Sequence, residues 1–350
     1  MADLARFDPN AAGNPTNNIF GLPFTEDDAS VVILPVPWEV TVSCTAGTAR
    51  APEHIYKSSR HIDVFDIDNP EGWKKGFYMR PADKKVLLKS DYLRKEAELY
   101  IDYISKGEVV TNNTFIAKSI REINEGSIML NNWVYEQTSA LLQKGKLVAL
   151  LGGDHSTPLG YFKALAEKVG TYGILQIDAH CNLRQSYENF KYSHASVMYN
   201  ALQEVSQITK LVQVGVRDFS SEEWDYLREH SGRVIAYFDR DIKEQCFEGK
   251  SWQQFADQIV NDLPNQVYLS FDIDGLDPKL CPNCGTPVAG GLETDQVMYL
   301  VKKIIRSGRR LIGFDLCEVG VDEKEWDSNV GARILWKLCN LLVLSNTQPA

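Results

Sequence analysis

Apolar, β-branched runs recur along the chain at residues 31–37 (VVILPVP), 147–153 (LVALLGG), 172–180 (YGILQIDAH), 210–216 (KLVQVGV), 233–238 (RVIAYF), 266–274 (QVYLSFDID) and 309–316 (RRLIGFDL). They are continuous rather than alternating, as expected of strands buried on both faces. Stretches of helical spacing lie between them, at 131–146, 156–170, 251–263 and 294–308. This alternation predicts an α/β fold with a parallel sheet covered by helices on both sides. Residues 60–130 break the rhythm. They are charge-rich and are predicted to form an insertion, one helix with long loops, inside a single domain spanning 31–350. Residues 1–30 read as a polar lead-in, and there is no internal repeat.

Composition narrows the function more than the fold. With 350 residues, 44% hydrophobic and 24% charged, the chain is globular rather than disordered. A formal charge of −10 argues against nucleic acid and anionic membranes as partners and suits a cationic small molecule. No apolar run approaches the roughly 18–20 residues that span a bilayer, and the first residues lack a signal-peptide pattern. The seven scattered cysteines suit a reducing compartment, so a cytoplasmic location is expected.

Candidate chemistry gathers where strands end, the edge at which open parallel sheets bind ligands. After LVALL comes Gly152-Gly153-Asp154-His155-Ser156; after GILQI come Asp178, His180 and Asn182. After QVYLSF come Asp272, Asp274 and Asp277, and the last run leads into Asp315 and Glu318. The first of these also reads as a turn with Ser156 capping a helix. The third is stronger, because three carboxylates in six residues repel one another unless a cation or a proton stands between them. Imidazoles and carboxylates without a thiolate motif describe a hard-to-borderline divalent site, manganese before zinc. Strand alternation would point Asp272 and Asp274 to one side, and likewise Asp178 and His180.

The motifs GGDHS (152–156), DAHCN (178–182) and SFDIDGLDP (270–278), in that order, resemble the signatures of the ureohydrolases: arginase, agmatinase, formimidoylglutamase and guanidinase. GTPVAGGL (285–292) and GFDLCEVG (313–320) extend the resemblance, which runs from about residue 30 to the end. It implies a three-layer, arginase-like α/β/α fold and two Mn²⁺ ions per subunit bridged by a hydroxide. The first ion would take His155, Asp178, Asn182 and Asp272; the second, Asp178, His180, Asp272 and Asp274, with Asp178 and Asp272 bridging and so serving catalysis. Glu318 would hold the guanidinium by paired hydrogen bonds, and His194 would meet the substrate and shuttle a proton to the leaving amine. Family members are commonly trimers or hexamers, so a homo-oligomer is expected.

One position departs from the pattern. The family has Asp-Ala-His-x-Asp, whereas this chain has Asn182 last, which leaves the cluster one negative charge short. An amide in a ligand's place is expected to weaken the first ion and reduce activity, either as an isosteric replacement or as natural divergence. The loop LRQSYENFKYSHAS (183–196) resembles agmatinase-type members, so the expected reaction is agmatine to putrescine and urea, a step of polyamine metabolism. Guanidine or another small guanidino compound is the alternative, then formimidoylglutamate, then a non-catalytic binding protein on the same fold. Arg184 and Glu188 also read as a structural pair. Cys281 and Cys284 (CPNC) read as a loop, with an oxidation-sensitive rim as the sharper alternative. FDIDNP (65–70) reads as a solvated loop. Trp38 and residues 45–55 resemble the family's early turn, where an Arg organises the sheet edge or a subunit contact.

Overall fold

The computed structural model describes residues 4, 7–11, 13–14, 16–110 and 113–347. Among them eight strands form one sheet: β1 (Val31–Val36), β2 (Phe77–Met79), β3 (Leu147–Gly152), β4 (Tyr172–Ile177), β5 (Ile208–Val216), β6 (Val234–Phe238), β7 (Gln266–Asp272) and β8 (Arg310–Cys317). The order is β2-β1-β3-β8-β7-β4-β5-β6, and every pairing is parallel. Ten helices connect or flank them: α1 (Ala51–Ser58), α2 (Lys84–Ser105), α3 (Thr114–Gln143), α4 (Leu159–Val169), α5 (Val197–Glu204), α6 (Ser221–Glu229), α7 (Asp239–Phe247), α8 (Trp252–Asp262), α9 (Thr294–Arg306) and α10 (Trp326–Thr347).

The three layers follow from side-chain alternation along strands that are apolar on both faces. In β1, Val31 and Ile33 enter one core with α1, α8, α9 and α10. Val32, Leu34 and Val36 enter the other, with α2, α3, α4 and α5. On α9, Val297, Leu300, Val301 and Ile304 recur at helical spacing and are all buried, while Lys303 and Arg306 close its last turn, where the helix dipole favours cations. In the second core, the rings of Tyr161 and Phe162 meet Tyr268 edge-on at 5.2 and 5.1 Å, tying α4 to the sheet's centre.

All seven expected strands form, and the sheet gains an eighth. β2 is only three residues long and sits at the edge, too short to stand out in a hydrophobic pattern. Residues 60–130 are also more ordered than expected. Instead of one helix they hold β2, all of α2 and the first half of α3, with Asp83 and Asn113 capping the two helices. The lead-in is not uniformly polar in role, since Ile19, Phe20 and Leu22 are buried and Phe20 packs edge-on against Trp336 at 4.9 Å. FDIDNP is not a solvated loop. Asp66 and Asp68 turn inward onto Lys337 at 2.9 and 2.6 Å, while Phe65 and Ile67 face outward. Arg50, in the early turn, pairs with Asp91 of α2 at 2.8 Å.

No helix among the described residues is long and apolar enough to cross a membrane.

Candidate metal centre

Four adjacent central strands, β3, β8, β7 and β4, deliver the predicted residues to one place at their carboxyl ends. Three groups of ligand-type atoms form there, each with its atoms within 4.8 Å of one another; besides His155, Asp315 and Cys317 there are two that share Asp178, namely His155, Asp178 and Asp272, and then Asp178, His180 and Asp274. His155 Nδ1 lies 3.0 Å from Asp178 Oδ2 and 3.1 Å from Asp272 Oδ2. His180 Nδ1 lies 3.0 Å from Asp274 Oδ2 and 3.5 Å from Asp178 Oδ1. Asp178 is common to both groups. Asp272 Oδ2 faces His155, and its other oxygen accepts the Asp274 N–H at 2.9 Å.

Strand alternation is not what aligns these side chains. β7 ends at Asp272, and Asp274 belongs to the 3-10 turn Ile273–Gly275 that Asp272 itself caps. β4 ends at Ile177, so Asp178 and His180 lie in the loop beyond it, where Asp178 Oδ1 accepts the His180 N–H at 2.6 Å. Asp277 points elsewhere, accepting the Lys279 N–H at 3.0 Å. Ser156 caps no helix; its hydroxyl and N–H both donate to Asp154, and α4 starts only at Leu159.

Asn182 reaches the first group through its nitrogen. Nδ2 donates to Asp178 Oδ2 at 2.7 Å and lies 3.2 Å from His155 Nδ1. The residue holds φ +54, a left-handed conformation that Asn tolerates better than most side chains.

Buried polar groups behind the cluster orient it, and pattern reading does not single them out. Gln213 Nε2 donates to Gln176 Oε1 at 2.6 Å, and Gln176 Nε2 donates to Asp178 Oδ2 at 2.7 Å. His155 Nε2 faces Ser270 Oγ at 2.8 Å, with Asp315 3.7 Å away. The available signal is a polar residue in the middle of an otherwise apolar strand: Gln176 in β4, Gln213 in β5 and Ser270 in β7, all fully buried.

The electrostatics show what this packing does. Burial disfavours a charged imidazole at both histidines, yet the surrounding carboxylates outweigh it. His155 is pushed well above the ordinary range, and His180 is pushed up to about 12 by Asp274 and Asp178. Burial and the charge of Asp274 push Asp272 well up, while His155 and His180 hold Asp178 down against the opposing effect of burial. This field favours positive charge, whether carried as protons or as divalent cations. The donors are oxygen and imidazole nitrogen, and the two groups share one carboxylate. This chemistry fits a pair of hard-to-borderline cations.

Glu318 follows β8 at φ +62, strained for a side chain of its size. Its Oε1 accepts the His155 N–H at 2.9 Å, whereas Oε2 is buried and has no partner. Gly285 passes so close to Oε2 that a Cβ there would overlap it. Gly153 is needed for a similar reason, since a Cβ would collide with the Trp38 carbonyl as the chain leaves β3.

His194 lies across the cleft, at the start of the turn that leads into α5. Its N–H donates to Thr41 Oγ1 at 3.1 Å, and its Nδ1 sits 3.2 Å from the same hydroxyl. Burial, then the nearby His180 and His155, lower it to about 3, so it is neutral at working pH.

His155, His180, Asn182, His194, Asp272 and Glu318 all line one cleft of about 140 Å³. Its outer wall holds Arg184, which does not pair with Glu188. Arg184 lies 3.7 Å from Glu223 and 5.0 Å from the centre of the Tyr187 ring. Cys281 and Cys284 are buried free thiols and form no exposed rim.

Comparison with known proteins agrees with this architecture. A family model described as the arginase family matches residues 29–340. An N(1)-aminopropylagmatine ureohydrolase of Thermus thermophilus is 30% identical over 84% of this chain and 83% of its own. An agmatinase of Klebsiella pneumoniae is 27% identical over 84% and 80%. The crystal structure of an agmatine ureohydrolase of Thermoplasma volcanium superposes with a TM-score of 0.68, covering 97% of this chain and 95% of that one at 21% identity, a likeness of fold.

Proposed function

This chain belongs to the arginase family, and on that premise we propose that it hydrolyses the guanidino C–N bond of an aminoalkylguanidine, agmatine or a longer homologue, to urea and the free amine. The observation that carries the reading is the unpartnered Glu318 Oε2, buried beside the carboxylate–imidazole cluster and facing the same cleft.

In this reading His155, Asp178 and Asp272 would hold one Mn²⁺ and Asp178, His180 and Asp274 the other, with Asn182 beside the first. Bound divalent cations supply Lewis acidity that brings the pKa of water toward neutrality. The chain's own residues do the rest. Glu318 Oε2 accepts the guanidinium N–H groups and turns the planar carbon toward the cluster, a charge-assisted contact strengthened by burial. One Glu318 oxygen is already engaged by His155, so the grip is centred on Oε2 rather than shared evenly. His194, held neutral, accepts a proton and passes it to the departing amine nitrogen. Water adds to the guanidinium carbon, and the C–N bond breaks as that nitrogen is protonated.

The tail of the substrate meets a wall whose only Lys or Arg among the cleft-lining residues, Arg184, is already paired with Glu223 and stacked on Tyr187. A carboxylate tail finds no free partner there, which favours an amine. The test is urea release from agmatine and from its aminopropyl homologue with added Mn²⁺, run on this chain and on Asn182→Asp side by side. Release by either supports the reading, and activity in the variant alone identifies residue 182 as the weak ligand position. Absence of urea from both overturns it.

A further inference from the structure

The cleft does not end at its wall. Phe219 lines it and also lines a second, shallower depression of about 450 Å³, together with Trp224 and Phe238. The three rings form one cluster. Phe219 lies 5.0 Å from Phe238, Trp224 lies 5.7 Å from Phe238, and Phe219 and Trp224 stack at 6.1 Å with 24° between their planes. Phe219 and Trp224 are 38% and 43% exposed, so ring faces are left to solvent. Part-open aromatic rings gathered into one patch beside a cleft mark a surface suited to an occupant.

Charge says what kind of occupant. The acids lining the cleft are Asp218, Glu223, Asp272 and Glu318. Asp272 belongs to the cluster and Glu318 faces the guanidinium. Glu223 is consumed by the Leu183 N–H at 3.1 Å, by Ser220 and by Arg184. Asp218 remains, and among the described residues its carboxylate has neither a hydrogen-bond nor an ion-pair partner. Its place is fixed, because the N–H groups of Arg217 and Asp218 both donate to the Ala179 carbonyl, at 2.8 and 3.0 Å, which ties this loop to the one carrying His180. The cations of the depression are occupied. Arg217 is spent on backbone carbonyls, including those of Asp274 and Val288, and Arg240 lies against Glu244 at 3.4 Å.

We propose that Asp218 and the Phe219–Trp224–Phe238 cluster form a subsite for the second arm of a linear guanidino polyamine, so that the chain prefers aminopropylagmatine to agmatine. This rests on the amidino-hydrolase reading above. With the guanidinium at Glu318, the secondary ammonium beyond the four-carbon spacer meets Asp218. The three-carbon arm then carries its terminal ammonium onto the exposed ring faces, where cation–π attraction holds it near Asp241, itself 3.7 Å from Arg240. Agmatine, ending at the first amine, uses Asp218 and leaves the rings bare.

The test compares kcat/KM for urea release from aminopropylagmatine and agmatine, in the Mn²⁺-loaded protein and in Trp224→Ala, Trp224→Phe and Phe219→Ala. The expected result is a wild-type preference for the longer substrate of about tenfold, falling roughly tenfold in Trp224→Ala and restored by Trp224→Phe. Phe219→Ala provides the second reading should Trp224→Ala fold poorly. A ratio that stays within about twofold of wild type in every folded variant overturns the subsite while leaving the hydrolase reading intact. No urea from either substrate, in either this chain or Asn182→Asp, overturns both.

Discussion

Asn182 presents its amide nitrogen, not its oxygen, to the cluster, donating to Asp178 Oδ2 across 2.7 Å. A nitrogen donor in that position competes with a cation for the Asp178 oxygen and sets an N–H against His155 Nδ1, 3.2 Å away. Replacement by Asp reverses both effects. It removes the donor and adds a charge. We expect Asn182→Asp to tighten divalent-metal binding at the His155–Asp178–Asp272 group by at least about tenfold. Metal content after dialysis and isothermal titration measure this without any assay of turnover. Equal stoichiometry and affinity in the two proteins would count against an amide-weakened site.

The orientation of His155 gives a second prediction. Ser270 Oγ is its Nε2 partner at 2.8 Å, and this contact turns Nδ1 toward Asp178 and Asp272. Ser270→Ala deprives a fully buried ring nitrogen of that partner. Metal affinity should fall roughly 10- to 100-fold, as for other residues that hold a ligand in place. Competition with a chelator reads it directly.

Glu318→Gln keeps the shape of the side chain and removes its charge. A charge-assisted hydrogen bond is worth about 1.5–3 kcal/mol, so kcat/KM for the guanidino substrate should drop on the order of 10- to 100-fold. Gly285→Ala should cause a comparable loss by another route, because its methyl group overlaps Oε2. Steady-state kinetics at saturating Mn²⁺ test both.

Acid should loosen the sheet's β2 edge first. Arg80 donates to both oxygens of Glu26, at 2.7 and 2.8 Å, and Lys144 adds a third contact, joining the segment before β1 to the end of β2 and to α3. The Arg80 hydrogen bonds lower Glu26 from 4.5 to about 2, overcoming partial burial. A carboxyl depressed in the folded state contributes its full stability above pH 4.5 and loses it as pH falls toward 2. The contribution is at most ~3 kcal/mol. Glu26→Gln should therefore lower Tm at neutral pH and converge with wild type near pH 2, as followed by circular dichroism.

The sheet and the cluster were legible because their signals are local. A buried parallel strand is a continuous apolar run, and the ligands follow such runs within five residues. What stayed hidden depends on partners far away in sequence. Asp66 becomes buried only because Lys337 comes from α10. Arg184 finds Glu223 through the β5–α6 connection, not its near neighbour Glu188. The Gln213–Gln176–Asp178 chain spans two strands, so neither glutamine looks purposeful alone. β2 has too few residues to carry a pattern. Its pairing is licensed by Val31, Val32 and Ile33 on the neighbouring strand.

The strand order also sets a timetable. β8 comes last in the chain yet sits between β3 and β7. Until residue 317 has left the ribosome, the sheet consists of two separate pieces, β2-β1-β3 and β7-β4-β5-β6, each exposing an unpaired apolar edge where β8 belongs. Such edges are templates for wrong pairing. Joining the halves is also the event that brings His155 on one half to Asp178 and Asp272 on the other. A nascent chain therefore gains its edge protection and its carboxylate–imidazole cluster in the same closing step.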